Sequence, residues 1–207
     1  MTRQQISRRI AVLISGRGSN LQSIIGAITS GDLDAHIAVV VSSRADAAGL
    51  LRAKDANIET VFVNPREYAD KAAYDRAIVD VLHARDVGLV CLAGFMRIVG
   101  APLLAAFPHR VLNIHPSLLP SFPGLDAQRQ ALTHGVRIAG ATVHLVTDEL
   151  DGGPIIVQAS VPVLDDDTVE TLSARILVEE HRLYPEAIRI VLDGRWTIEG
   201  RRFVRRF

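Results

Sequence analysis

Cysteine is almost absent from the 207-residue sequence, which carries Cys91 alone. A single thiol cannot form a disulfide within the chain, so the class of small secreted domains held together by internal disulfides is excluded. Cys91 lies in the apolar run VGLVCLAGF, where a cysteine is typical of the core, and a reactive thiol is the minority alternative.

The sequence also lacks a net charge and a long apolar run. Its 23 basic side chains balance 23 acidic ones, which gives no overall attraction to nucleic acid or to an anionic membrane. No segment approaches the length needed to cross a bilayer, and the first apolar run, residues 10–14, meets the polar SGRGSN at once. We therefore expect a first strand rather than a signal peptide, no nucleic-acid or membrane partner, and a cytoplasmic location.

The sequence does contain a regular alternation of apolar runs and helical segments. Five short runs are apolar on both faces and rich in β-branched residues, as buried parallel strands are. They cover residues 9–15, 36–43, 59–64, 87–94 and 110–115. Segments with helical spacing follow them, a long one at 66–85 and a shorter one near 97–106. This order predicts an α/β fold with a doubly wound, mostly parallel sheet.

The pattern changes in the last third of the chain. Residues 138–163 hold two longer strand patterns joined by DELDGG, which predicts an antiparallel C-terminal addition to the sheet. A final helix is expected over 168–192, with Asp167 and Thr168 as capping candidates. Pro185 should kink or break that helix. No repeat or linker interrupts the chain, so we expect one domain.

The turn SGRGSN joins the first strand to the first helix. Such a turn exposes backbone N–H groups at a helix N-terminus, which favours an anion. Gly16 and Gly18 allow the backbone to approach a ligand, and Ser19 or Asn20 can cap the helix or donate to a phosphate. Leu21 stands where a dinucleotide fingerprint needs its third glycine, so one phosphate fits better than a pyrophosphate. A tight capped turn without a ligand explains the same residues.

The stretch NIHPSLLP places an amide and an imidazole at the end of the fifth strand. Asn113 and His115 are two residues apart, so their side chains project from the same face of the strand. Pro116 favours an extended backbone at His115. The carboxyl ends of strands are where open α/β sheets bind ligands, and two such donors suit a developing oxyanion. A solvated strand end is the alternative.

The stretch VTDELDGGP carries three carboxylates, Asp148, Glu149 and Asp151, before two glycines. A mobile acidic turn is one interpretation, and a metal site is another because oxygen ligands cluster here. The remaining ligands of a dedicated metal loop are missing, so no metal is predicted. In a third interpretation, one of these carboxylates lies beside His115 and favours the imidazolium form of its ring.

Four stretches resemble the glycinamide ribonucleotide formyltransferases, the folate-dependent enzymes of purine synthesis. They are LISGRGSNLQSII, LAGFMRIV, VLNIHPSLLPSFPGLDAQRQAL and GATVHLVTDELDGGPIIVQ, in matching order. The resemblance runs from about residue 9 to 195. NIHPSLLP with a downstream LDGG resembles the wider formyltransferase superfamily, and GRGSNL after the first strand narrows the resemblance to the glycinamide ribonucleotide formyltransferases. It implies a Rossmann-like formyltransferase fold in a single domain, 1–207. The nucleotide-binding half would be about 1–110, and the folate and catalytic half about 111–207.

The resemblance also implies roles for individual residues. The catalytic trio is matched by Asn113, His115 and Asp151. The ribonucleotide-binding positions are matched by Gly18, Ser19, Asn20 and Glu180. The folate-binding positions are matched by Met96, Arg97, Ile98, Val99, Val146, Thr147, Asp148, Glu149 and Leu150. Lys71 stands where some members have an arginine that binds folate. A lysine can still meet a carboxylate, but it cannot form the two parallel hydrogen bonds that an arginine can. Arg66 lies nearby in the sequence and is the alternative folate contact. A cis peptide bond is implied at Leu119–Pro120.

The implied reaction moves a formyl group from the cosubstrate 10-formyltetrahydrofolate to the amine of glycinamide ribonucleotide. Asn113 and protonated His115 would stabilise the tetrahedral oxyanion, while Asp151 keeps His115 charged and helps to move the amine proton. The alternatives are a 10-formyltetrahydrofolate hydrolase and a phosphate- or nucleotide-binding module without catalysis. The basic RRFVRRF tail is too short for the nucleic-acid-binding domain of a methionyl-tRNA formyltransferase, so we expect a solvated strand or tail. A monomer and a homodimer both remain open.

Overall fold

The computed structural model describes residues 6–206, so the predicted domain limits at 1 and 207 lie outside the described part. Within that part the chain forms nine strands, numbered β1 to β9. They are Arg9–Ile14, His36–Ser42, Thr60–Phe62, Leu89–Leu92, Val111–His115, Ile138–Leu145, Ile155–Pro162, Trp196–Glu199 and Arg202–Arg205. The helices α1 to α6 are Ser19–Thr29, Gly49–Asp55, Lys71–His83, Ala101–Ala106, Ala127–His134 and Val169–Asp193.

All nine strands join one sheet in the order β3-β2-β1-β4-β5-β6-β7-β9-β8 among the residues described. Strands β1 to β5 pair in parallel, β6 and β7 are antiparallel additions, and β9 lies parallel to β7. The predicted mostly parallel sheet with an antiparallel C-terminal addition is confirmed. The strand order reverses between β1 and β4, which is the switch point where such sheets open a ligand crevice.

Alternation along the central strands explains why the sheet is covered on both faces. In β1, Ile10, Val12 and Ile14 enter one apolar cluster, while Ala11 and Leu13 enter the other. The first cluster packs against α1 and α6, and the second against α3 and α4. Such double burial is why the sequence shows continuous apolar runs here. The core position expected for Cys91 is confirmed, since its side chain is fully buried and burial raises the pKa of its thiol.

Several element boundaries differ from the prediction for local reasons. The helix expected over 66–85 begins only at Lys71, because the Asp70 carboxylate accepts the Ala73 N–H and caps it there. A short 3₁₀ turn, Pro65–Glu67, occupies the start of the predicted span. The helix expected near 97–106 begins at Ala101, which leaves residues 97–100 as an extended loop.

Helix α6 begins as predicted but does not end at Pro185. Thr168 caps it in a reciprocal capping box with Thr171. The helix runs to Asp193, so the predicted span is confirmed and, of the kink or break expected at Pro185, the break is wrong. The turns around this proline are held by packing, since the neighbouring Tyr184 is fully buried and its hydroxyl donates to the Leu92 carbonyl.

The basic tail is a strand rather than a loose end. Residues 202–205 form β9, which pairs with β8 in a hairpin, and the Trp196 and Phe203 rings stack at 5.0 Å between centroids. The solvated strand expected for this segment is confirmed, and Phe207 lies outside the described residues. Across the described chain, no helix combines the length and apolarity that a membrane crossing needs.

Candidate active site

Asn113 and His115 lie at the carboxyl end of β5, as predicted. Ile114 between them turns into the core, so the two polar side chains share the opposite face. Strand β6 runs antiparallel beside them and places His144 across from Asn113 and Thr142 across from His115. The Asn113 amide nitrogen lies 3.2 Å from Nε2 of His144. The end of β5 therefore presents a polar surface that β6 completes.

The imidazole of His115 lies between two acceptors and is nearly buried. Its Nε2 lies 2.8 Å from the Phe122 carbonyl oxygen, and its Nδ1 lies 3.5 Å from Oδ2 of Asp151. A neutral imidazole has only one N–H, whereas the imidazolium has two. The two acceptors therefore match the two N–H groups of an imidazolium, the form expected from the sequence to stabilise an oxyanion.

Asp151 reaches this position from the turn that follows β6. Its Oδ2 accepts the Gly124 N–H at 2.8 Å, and its Oδ1 lies 3.7 Å from Nε2 of His144. Burial raises the pKa of this carboxyl, but the interactions with His144, the Gly124 N–H and His115 outweigh burial and hold the pKa below the usual 3.8. Asp151 is therefore a carboxylate at neutral pH, and the three predicted trio members lie together.

The glycine after this acidic turn is required by a close approach of the backbone. A Cβ atom on Gly153 would lie 1.8 Å from the Leu145 carbonyl oxygen. The same turn holds Asp151 at a φ of 50°, a left-handed conformation that side chains seldom adopt. The LDGG stretch is thus a tight turn that brings the chain back against the end of β6.

Sequence reasoning missed His144 as a member of this cluster. Its Nδ1 lies 3.0 Å from the Leu145 carbonyl oxygen, and its Nε2 faces both the Asn113 amide nitrogen and Oδ1 of Asp151. The available signal was the alternation in GATVHLV, which puts Thr142 and His144 on one face of β6. Only the register of β5 against β6 shows that this face meets Asn113.

The loop after His115 is held by a buried hydroxyl. Thr142 Oγ1 donates to the Ser117 carbonyl at 2.7 Å and accepts the Leu119 N–H at 3.0 Å. The Gln158 amide donates to the Leu119 carbonyl at 2.9 Å. The Leu119–Pro120 peptide bond is cis, as the resemblance implied. These bonds fix the path of the chain beside His115.

The SGRGSN turn differs from the prediction in how its helix is capped. Helix α1 starts at Ser19 with Gly18 as its N-cap, and no side chain caps it. Capping by Ser19 or Asn20 is therefore wrong. Gly18 has a φ of 71°, and a Cβ there would lie 2.6 Å from the Gly49 Cα, so packing against α2 requires this glycine. The first N–H groups of α1 remain available to an anion.

The Asn20 side chain is occupied by a buried carboxylate. Its amide nitrogen donates to Oε2 of Glu180 at 2.7 Å, which joins α1 to α6 across 160 positions of sequence. Burial raises the pKa of Glu180, while the Asn20 hydrogen bond and the charge of Arg17 oppose that shift. The Asn20 Oδ1 atom is buried and has no partner within the described structure. The four predicted ribonucleotide positions, Gly18, Ser19, Asn20 and Glu180, thus surround the start of α1.

The predicted folate positions fall on two segments. In the first, Met96, Arg97 and Ile98 are exposed on the loop after β4, while Val99 is buried. The guanidinium of Arg97 lies 5.0 Å from the centroid of the Tyr74 ring.

The second segment lies on the turn that carries Asp151. The Val146 N–H donates to the Val111 carbonyl at 2.8 Å, which joins this turn to β5. Asp148, Glu149 and Leu150 are exposed, and Thr147 is half-buried. The turn therefore offers polar and apolar groups directly beside the trio.

Lys71 supports the first of these predicted segments. Its Nζ donates to the Val99 carbonyl at 3.1 Å, and nearby Asp75 accepts the Gly100 N–H at 2.7 Å. Lys71 is thus engaged with backbone, whereas the Arg66 guanidinium makes no hydrogen bond or ion pair among the described residues. Among residues 6–206, no group of three or more His, Cys, Asp or Glu side chains is arranged to hold a metal ion.

Comparison with known proteins shows which proteins this chain is similar to. The Formyl transferase family model matches residues 8–188. The chain is 46% identical over 186 residues to phosphoribosylglycinamide formyltransferase of Escherichia coli (strain K12), covering 90% of this chain and 88% of that protein. It is 58% identical to glycinamide ribonucleotide transformylase 1 from Symbiobacterium toebii, whose crystal structure superposes with a TM-score of 0.94 over 95% of this chain and 93% of that one.

A longer relative contains a matching part. The trifunctional purine biosynthetic protein adenosine-3 of Bos taurus is 48% identical over 186 residues, which is 90% of this chain. The chain spans only 18% of that relative's length. The match to the family model covers most of the sequence, including β1 to β7 and the positions of Asn113, His115 and Asp151. The chain therefore belongs to the formyl transferase family.

Proposed function

We propose that this protein transfers the formyl group of 10-formyltetrahydrofolate to the amine of glycinamide ribonucleotide. The products are formylglycinamide ribonucleotide and tetrahydrofolate, in the de novo synthesis of purines. The observation that carries the proposal is the cluster of Asn113, His115 and Asp151 in a chain so similar to named phosphoribosylglycinamide formyltransferases. Those names favour transfer over the hydrolase and binding-module alternatives.

The first chemical step is attack of the neutral glycinamide amine on the formyl carbon. The carbonyl oxygen becomes an oxyanion as the carbon turns tetrahedral, and N–H donors aimed at that oxygen lower the barrier. The Asn113 amide has a second N–H beyond the one shared with His144, and the His115 imidazolium supplies a positive charge. For His115 to meet the oxyanion, the substrate must displace its contact with the Phe122 carbonyl.

The second step moves a proton from the attacking nitrogen to the departing folate nitrogen. Asp151 is suited to this task because its carboxylate is ionised at neutral pH and lies beside His115. A water held by that carboxylate accepts the amine proton, and the departing nitrogen receives a proton as the carbon–nitrogen bond breaks. This path uses side chains and water alone, with no covalent enzyme intermediate.

The substrates are assigned to the two regions that flank the trio. The ribonucleotide phosphate binds the first N–H groups of α1 at Ser19, and Glu180 accepts from ribose hydroxyls. The folate lies against the loop at 96–99 and the turn at 146–150. One continuous sheet through residues 9–205 supports the single domain that the sequence predicts. Cytoplasmic location stays a prediction.

The test is to incubate the protein with 10-formyltetrahydrofolate, with and without glycinamide ribonucleotide, and to follow tetrahydrofolate. We expect tetrahydrofolate to form only when the ribonucleotide is present, together with an equal amount of formylated ribonucleotide. Release of folate without the ribonucleotide would identify a hydrolase. Binding of the ribonucleotide with no turnover in either mixture would identify a binding module.

A further inference from the structure

Tyr74 of α3 is a buried side chain to which the reaction described above gives no role. Only 2% of it is exposed, and its hydroxyl oxygen has no hydrogen-bond partner within the described structure. Burial raises the pKa of Tyr74 to about 12, although the charge of Arg97 opposes that shift, so the hydroxyl is neutral at physiological pH. Burying a hydroxyl without a partner costs free energy that a phenylalanine would avoid. The contribution of this side chain must therefore come from its ring.

The ring of Tyr74 lies under the loop at 96–99. The guanidinium carbon of Arg97 stands 5.0 Å from the centroid of the ring, which is within the distance at which a cation is attracted to the negative face of an aromatic group. The Tyr68 ring meets Tyr74 edge to face, with 5.6 Å between centroids and 70° between planes. This second aromatic contact helps to fix the plane on which Arg97 rests.

The backbone beside Arg97 is held firmly, whereas its side chain has few other restraints. Ser15 Oγ accepts the Met96 N–H at 2.9 Å, and Lys71 Nζ donates to the Val99 carbonyl at 3.1 Å. The exposed Arg97 guanidinium makes no hydrogen bond or salt bridge among the described residues.

The Asp75 carboxylate also attracts Arg97, but it does so from a distance. Its charge interacts with Arg97 and with Lys71, while its Oδ2 accepts the Gly100 N–H at 2.7 Å. Attraction between separated charges lowers the energy of many arginine rotamers alike, and an exposed arginine otherwise samples several of them. Contact with a ring face favours the rotamers that lie over that face. The ring of Tyr74 therefore gives Arg97 a direction that the charge of Asp75 alone does not.

We propose that Tyr74 is a positioning residue for folate binding, because its ring holds the Arg97 guanidinium in the direction that meets the folate. This inference rests on the proposed function, which assigns the folate to the loop at 96–99. Tyr74 acts through Arg97 and does not touch the substrate. Loss of an exposed cation–π contact is equivalent to about two- to fivefold in affinity, so the folate KM should change by that factor. The kcat should stay unchanged, since the trio lies on β5 and on the turn after β6.

The test compares two rings of nearly the same shape at position 74. Tyr74→Phe keeps the negative ring face and removes the unpartnered hydroxyl, so we expect a native folate KM and a higher midpoint of thermal unfolding. A trifluorinated phenylalanine at the same position weakens the negative face. It should raise the folate KM about two- to fivefold over Tyr74→Phe, with kcat and the ribonucleotide KM unchanged. In an Arg97→Gln background, the two rings should give the same folate KM.

Equal folate KM values for the two rings in the native background would overturn the inference. A difference of the same size in the Arg97→Gln background would overturn it too, because the ring would then act without Arg97. Calorimetric binding of tetrahydrofolate to the same variants separates this inference from the proposed function. Ring-dependent binding without formyl transfer would refute the function alone, whereas transfer with ring-independent folate binding would refute the role of Tyr74 alone.

Discussion

At the residue scale, Asp151 lies beside both His115 and His144 and has a role in the second step of the proposed reaction. One carboxylate oxygen accepts the Gly124 N–H and faces His115, and the other faces His144. The backbone of Asp151 is left-handed, so the turn holds this side chain in a conformation that costs energy. Replacing the carboxylate by an amide therefore tests function with little change in size.

We expect Asp151→Asn to lower kcat by about 10²- to 10⁴-fold, because an amide cannot accept the proton or hold the charge on His115. KM for both substrates should change far less, since neither effect contributes strongly to ground-state binding. Steady-state kinetics on the purified variant measure both constants. Asp80→Asn, an exposed change on α3, is the control that should retain native values.

The His115→Asn, Asp151→Asn double variant sharpens this prediction. Residues that act as a unit lose function non-additively, so the double loss should be much smaller than the product of the single losses. Near-native kcat in Asp151→Asn would remove that carboxylate from the mechanism. A fully multiplicative double loss would mean that the two side chains act independently.

The depressed pKa of Asp151 also predicts a dependence of stability on pH. Because its folded pKa lies below 3.8, the ionised carboxyl contributes stability that is complete above the unfolded pKa and is lost as pH falls through the folded value. The free energy of unfolding of the native protein should therefore exceed that of Asp151→Asn at pH 6. The difference should shrink as pH falls below about 4. Urea unfolding across pH 3 to 7 measures it, and a constant difference would contradict the assignment.

At the scale of elements, α3 supports the loop at 96–99, to which we assign the folate, rather than contacting the trio. The Asp75 carboxylate accepts the Gly100 N–H, and Lys71 donates to the Val99 carbonyl. A Cβ on Gly100 would lie 2.7 Å from Oδ2 of Asp75, so the loop lies directly on the helix. The position of residues 96–99 thus depends on two side chains of α3, an element that lies earlier in the chain.

We expect Asp75→Ala to raise the folate KM and leave the ribonucleotide KM unchanged, because the Gly100 N–H loses its acceptor and the loop loosens. The unfolding free energy should fall by about 1–3 kcal/mol, the cost of an unsatisfied buried donor. Asp75→Asn retains an acceptor oxygen and should restore most of the folate KM. Parallel increases in both KM values would instead indicate a general loss of structure.

At the scale of the whole molecule, the last hairpin reaches the turn that carries Asp151. Arg201, between β8 and β9, donates to the Gly152 carbonyl at 2.6 Å and lies 3.3 Å from a carboxylate oxygen of Glu149. The β8–β9 hairpin forms one edge of the sheet, yet the turn between its strands supports residues 149–152. The C-terminal strands thereby contribute to the proposed site without entering it.

We expect Arg201→Ala to raise the folate KM by about two- to fivefold, since the turn loses one exposed charged pair and one backbone hydrogen bond. The kcat should change less than in Asp151→Asn. Arg202→Ala is the matched control, because this exposed neighbouring side chain makes no hydrogen bond or ion pair with the turn among the described residues. If the two variants behave alike, the hairpin has no part in positioning the turn.

The sequence by itself determined the features that depend on neighbouring residues. Alternating apolar runs and helical spacing are local patterns, so β1 to β7 and the helices other than α5 could be predicted, and Asn113 with His115 followed from their spacing of two. The capping box at Thr168 is local in the same way. Capping at Ser19 and the break at Pro185 were wrong because packing against Gly49 and around Tyr184 prevailed over local preference.

Only the tertiary structure decided which distant residues meet. His144 joins the cluster through the register of β5 against β6, and Glu180 reaches Asn20 across 160 positions. Arg201 reaches the acidic turn only because the chain returns to the sheet after α6. Such contacts depend on how the elements pack in three dimensions, and no pattern within a few residues of one sequence contains that information.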